Sequence, residues 1–194
     1  INRASNNFTH TLTYAFGNKS ETIGTDLGTS ASWTPSRELG RQIPSSTSGV
    51  GTLTLETYSG GTRVGTSTKT FTLWVSGDMY PTFTSLTLSG RNLGSDGSYV
   101  QTVSHVVATI TGATESYGSP IKSYSISGHE LNVQSSSGTS GVFTTSGNVT
   151  YTAKITDGRG RSATKTATIY VVPYQKPSVS ITNMYRCDVN GNPQ

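Results

Sequence analysis

A single cysteine, Cys187, excludes an intrachain disulfide, so this chain cannot be a disulfide-stapled scaffold. A lone Cys usually behaves as a small apolar residue, and Cys187 is expected to be partly buried. Histidine is nearly as scarce. His10, His105 and His129 stand far apart with no clustered ligands, which speaks against a metal centre. Charged residues make up only 12% of the sequence, and the net charge of +4 is spread evenly along it. No segment is strongly basic, so nucleic-acid binding has little support. No apolar run approaches the ~20 residues that cross a bilayer, and no membrane association is expected.

What fills the chain is Thr, Ser, Gly and Tyr, the last ten in number, a composition suited to pleated sheets with solvated outer faces rather than to helices. Period-two alternation confirms the bias. Phe8, His10, Leu12, Tyr14 and Phe16 alternate with Thr9, Thr11, Thr13 and Ala15. Short strands are expected around Thr22–Thr25 and Ser30–Trp33. Pro35 and Pro44 bracket one or two helical turns, with Leu39 and Ile43 at i, i+4. Leu53 and Leu55 begin a hairpin that turns at Ser59-Gly60-Gly61-Thr62 and returns from about Arg63 to Val75, with Gly65 marking a bulge.

The pattern then repeats. Phe83 alternates with Leu86 and Leu88 less cleanly, Val106, Ala108 and Ile110 make a strand, Ile121, Tyr124 and Ile126 belong to the next, and Leu131 and Val133 form a short one. Ser135–Gly141 reads as a polar loop. The clearest hairpin pairs Val149, Tyr151, Ala153 and Ile155 with a return strand of Ala163, Lys165, Ala167, Ile169 and Val171, across the turn Asp157-Gly158-Arg159-Gly160. Tyr80-Pro81-Thr82-Phe83 and Lys176-Pro177-Ser178-Val179 place Pro before an alternating strand at a spacing of about 96 residues. The reading is an all-β protein of tandem immunoglobulin-like antiparallel β-sandwich domains: 1–78, 79–174, and the truncated start of a third at 175–194. The antibody-type Cys…Trp…Cys core is absent, so aromatics and aliphatics must fill the sandwiches. The ending in Gly191-Asn192-Pro193-Gln194 reads as a piece of a longer protein.

Catalytic chemistry finds no foothold. Glu21, Asp26, Glu38 and Glu56 have no motif spacing for a paired-carboxylate mechanism. No Gly-x-Ser-x-Gly elbow occurs in a strand–turn–helix setting. No cofactor is called for, and the chain is expected not to be an enzyme. Asp157 with Gly158 and Gly160 could cradle a cation or phosphate, but a hairpin turn is the simpler account. Trp33 is expected in the core. Trp74 lies opposite the Phe71/Leu73/Val75 face, so Trp74 and Tyr80 are the candidate ligand residues, serving either a carbohydrate or an interdomain contact.

The opening stretch Ile1–Tyr14, then Ser32-Trp33-Thr34-Pro35, Gln42-Ile43-Pro44 and Ser48-Gly49, resembles minor structural proteins of long-tailed phages of Gram-positive, especially streptococcal, hosts. Met184-Tyr185-Arg186-Cys187-Asp188 is similar to the start of that family's next repeat. The resemblance implies a component of a tail fibre, baseplate or receptor-binding protein, extracellular in the virion. It implies other phage tail proteins as partners and a homo-oligomeric full-length protein, and it carries no catalytic residues. The leading expectation is a rigid spacer in host attachment. The alternatives are a module that binds host cell-wall polysaccharide, a bacterial surface adhesin stalk, and an accessory domain of a wall hydrolase.

Overall fold

The computed structural model describes residue 1, residues 5–174 and residues 176–194. Asn2, Arg3 and Ala4 of the opening stretch and Gln175, the first residue assigned to a third repeat, lie outside the described residues. Strands dominate, and they fall into three antiparallel or mixed sheets.

The first sheet is a pair of hairpins laid side by side. The alternating run forms β1 (Phe8–Phe16), and β2 (Lys19–Leu27) folds back across Gly17-Asn18, with Gly17 at φ 59. The second expected strand is therefore longer than the sequence suggested. β3 (Ser48–Ser59) and β4 (Thr62–Trp74) join at Gly60-Gly61, both at positive φ as a tight hairpin requires. The order is β2-β1-β3-β4, with β1 antiparallel to β3. The β3–β4 register slips between Thr57↔Gly65 and Tyr58↔Arg63, next to the glycine expected to mark a bulge.

Among the described residues no second sheet faces this one, so the sandwich expected for residues 1–78 is not formed there. The connection from β2 to β3 covers one face instead. Ser30–Trp33 is irregular rather than a strand. Gly28 and Pro35 bound it, and the Trp33 ring uses its surface for stacking: 4.6 Å from Tyr14 and edge-on to Phe71 at 5.4 Å. Such ring pairs contribute about 1 kcal/mol each beyond area burial. A 3₁₀ helix (Arg37–Gln42) follows, capped by Ser36 Oγ accepting from Glu38 N. It sets Leu39 and Ile43 on the sheet with Tyr14, Phe16, Val75 and Met79.

The second unit is a sandwich of two sheets. β5 (Ser85–Arg91), β7 (His105–Thr111) and β10 (Ser137–Thr139) form one, in the order β10-β7-β5. β6 (Tyr99–Val100), β8 (Ile121–Gly128), β9 (Leu131–Val133), β11 (Gly147–Asp157) and β12 (Ser162–Val172) form the other, in the order β6-β12-β11-β8-β9. Alternation drives burial on both: Val106, Ala108 and Ile110 meet Val149, Tyr151, Ala153, Ile155 and Val171, with Phe143 fully enclosed. Each large apolar side chain so buried contributes about 1.5–3 kcal/mol. Within the expected loop at 135–141, β10 pairs Ser137, Gly138 and Thr139 with β7.

Residues 176–194 contribute one isolated bridge, Cys187↔Pro193, and no strand. The alternation of Val179 and Ile181 has no neighbouring ladder here, and both side chains are exposed. Cys187 is exposed as well, contrary to expectation, because no core surrounds it.

Candidate functional site at the joint between the two units

The β11–β12 turn is where the two units meet. Its sequence, Thr156-Asp157-Gly158-Arg159-Gly160-Arg161, folds locally because Asp157 Oδ1 accepts from Arg159 N (3.0 Å) and Arg161 N (2.8 Å), while Gly160 takes φ 83. Asp157 is fully buried, and its Oδ2 has no hydrogen-bond partner. The turn thereby aims two guanidinium groups at the first unit and the linker.

Arg159 is 7% exposed. Its Nε donates to Ile43 O (2.8 Å) and its Nη2 to Gly40 O (2.8 Å), both in the first unit. Nη1 donates to Ser116 O (2.7 Å) and Nη2 also to Tyr117 O (2.7 Å), both in the second. A buried charge is tolerated only when it is hydrogen-bonded and balanced. Burial pulls the Arg159 pKa below the ordinary guanidinium value, and the nearby Asp157 charge opposes that pull. Arg161 grips the linker: Nη1 donates to Ser76 O (2.5 Å) and Met79 O (3.0 Å), and Nη2 to Val75 O (3.0 Å).

Smaller contacts surround this lock. Ser119 Oγ donates to Pro44 O (2.7 Å). A Cβ on Gly158 would lie 2.7 Å from Pro44 O, so only glycine lets the two backbones approach. Arg37 donates to Asp78 Oδ2 (2.9 Å) and to the Tyr117 hydroxyl (3.1 Å). Hydrogen bonds from Ser76 Oγ and then from Arg37 hold the Asp78 carboxyl below its usual pKa.

Tyr80 stands under the Arg161 guanidinium, 5.6 Å from ring centroid to Cζ, and is 50% exposed. Trp74 is 70% exposed and lines a small pocket of about 100 Å³ beside the joint, with Pro35, Arg37, Gly40 and Met79. Trp33 packs against the first unit's core, while His10, His105 and His129 sit in separate elements. Among the described residues no group of three or more His, Cys, Asp or Glu could hold a metal ion, and no helix is long and apolar enough to cross a membrane.

Sequence reasoning identified the turn but not its task. The available signal was two arginines packed into one tight turn of a charge-poor chain. The acceptors gave none, being main-chain oxygens.

The fold and this joint define a class: an all-β chain of two sheet-built units fixed to each other by the guanidinium groups of buried Arg159 and half-buried Arg161. The chain belongs to the family described as siphovirus protein of unknown function, DUF859, whose profile covers residues 1–192. It is therefore a viral, virion-associated protein, in keeping with the phage resemblance of its sequence. No curated protein matches the chain.

Proposed function

We propose that this chain is a rigid, non-enzymatic spacer in a phage tail fibre, baseplate or receptor-binding protein, holding a host-recognition part away from the tail. The observation that carries the reading is Arg159, whose guanidinium donates to carbonyls of both units. A flexible tether would not bury an arginine across its hinge, because the desolvation cost is offset only while both sides stay in place. The strand order of the second unit supports an immunoglobulin-like assignment for it: β5, β7 and β10 oppose β8, β9, β11 and β12 as in that Greek-key sandwich. Thr-rich, charge-poor outer faces suit a stalk that packs beside other tail proteins or its own copies in a homo-oligomer.

Rigidity is measurable. Spin labels at Val50→Cys and Tyr170→Cys, both exposed positions in different units, with Cys187→Ser, report the inter-unit distance. A single narrow distribution is expected, broadened by Arg159→Ala with Arg161→Ala. A broad distribution in the unaltered joint would refute the spacer reading. Turnover of purified peptidoglycan by the chain would refute its non-enzymatic part.

A further inference from the structure

The face of the first sheet turned away from Trp33 and the 3₁₀ helix carries a groove that a spacer does not need. Its floor is the outward row of β1, with Thr9 and Thr11, and Asn7 just before the strand. Thr9 lies level with Tyr58 and Thr11 with Glu56 on β3. One rim is the Gly60-Gly61 turn, where a Cβ would meet nothing within 4 Å. The other is Asp26. There β2 is bulged, its register slipping between His10↔Leu27 and Leu12↔Gly24, and Asp26 takes φ 52. Bulges re-aim side chains, and a left-handed non-glycine residue is held at an energetic cost. Together these residues line an open groove of about 450 Å³, within the size range of small-ligand sites.

The lining selects a ligand class. Tyr58 donates its hydroxyl to Glu56 Oε2 (2.9 Å), and Arg63 Nη1 donates to Glu56 Oε1 (2.7 Å), so the ring is braced and that acid is neutralised. Among the described residues, Asp26 is then the sole charged side chain lining the groove, which disfavours anionic ligands. Two hydroxyls, an amide and a carboxylate offer donors and acceptors in short side chains. Among the described lining residues the Tyr58 ring is the one sizeable apolar surface, too little for an apolar guest. Peptide docking by strand addition needs a free edge, whereas β1 and β3 have ladder partners on both sides. We propose that this groove binds a neutral saccharide, its hydroxyls bonding to Asp26, Asn7, Thr9 and Thr11 and one sugar face resting on Tyr58.

The proposal stands apart from the spacer reading, since it concerns one face of the first unit and not the joint. Saturation-transfer NMR with cello-, chito-, malto- and dextran oligosaccharides tests it, with dextran sulfate as the anionic counterpart. At least one neutral oligosaccharide should bind saturably, with Kd on the order of 1 mM. Tyr58→Ala and Asp26→Ala should each weaken binding roughly tenfold. Thr11→Tyr, which keeps strand propensity, should fill the groove and abolish binding with the far-UV spectrum unchanged. Asp26→Asn, at an exposed site, serves if Thr11→Tyr fails to fold, and should also weaken binding. Tyr170→Ala, on the second unit, should leave it unchanged. No saturable binding across the panel, tighter binding of dextran sulfate, or binding that survives both groove substitutions would overturn the proposal.

Discussion

In the first unit, four strands share one core face, covered by the β2–β3 crossover with its 3₁₀ helix, which carries Trp33, Leu39 and Ile43, and their other face is open to solvent. In the second, two sheets cover each other, and among the described residues thirteen buried apolar ones form the core against six in the first, so the sandwich should hold most of the stability. Met79, from the linker, completes the smaller core. The single sheet thus depends on the joint for part of its packing, while its uncovered face is free to carry a groove.

The sharpest test of that contrast is a matched pair of truncations. Phe143→Ala, at a fully buried ring, should cost about 4 kcal/mol, and Phe16→Ala about 3 kcal/mol, in urea unfolding. Equal or reversed costs would break the comparison. Next in size is Gly51→Ala. Its added Cβ would lie 2.5 Å from Phe71 Cζ and 2.8 Å from Phe16 Cδ2. Overpacking of this kind should cost about 2 kcal/mol. Gly65→Ala, in the same sheet with open space around it, should stay within about 0.5 kcal/mol. That pair locates the crowded face of the single sheet by melting temperature alone.

The smallest effect is acid loosening of the joint. Asp78 is held below its ordinary pKa in the folded chain by Ser76 and Arg37. Its contribution is therefore present above the unfolded-state value near 3.8 and is lost as pH falls through the lower folded value. Inter-unit distances should broaden slightly below about pH 4. Asp78→Asn should remove that pH dependence, and the group's exposure keeps the effect small.

Much of this was legible in advance. The alternation of Phe8–Phe16 and of Val149–Ile155 gave strands facing the right way, and Gly60-Gly61 and Asp157–Gly160 gave their turns. Pro35 and Pro44 bracketed the helical turn. Alternation states that a strand has one buried face, however, and not what covers it, which is why a crossover could take the place of a second sheet in the first unit. β10 escaped notice because Ser137-Gly138-Thr139 has no apolar side chain; it pairs because β7 offers an edge and Gly138 presses against Val133 and Leu131. Strand patterning at Ser178–Ile181 likewise predicted a strand where the described residues supply no ladder. The groove could not be read because the bulge that turns Asp26 toward it has no residue signature. Arg159 was visible, but its partners in the other unit lie 116 and 119 positions away.

Those partners are all peptide oxygens, and this has an evolutionary consequence. Substituting the residue that supplies a peptide oxygen does not delete it, so the upstream unit can drift widely in sequence while the fastening persists. The code for the fastening is held almost entirely by the short arginine-bearing loop. Recombination that brought a different upstream module, with a similar backbone path, to this loop would inherit a working attachment.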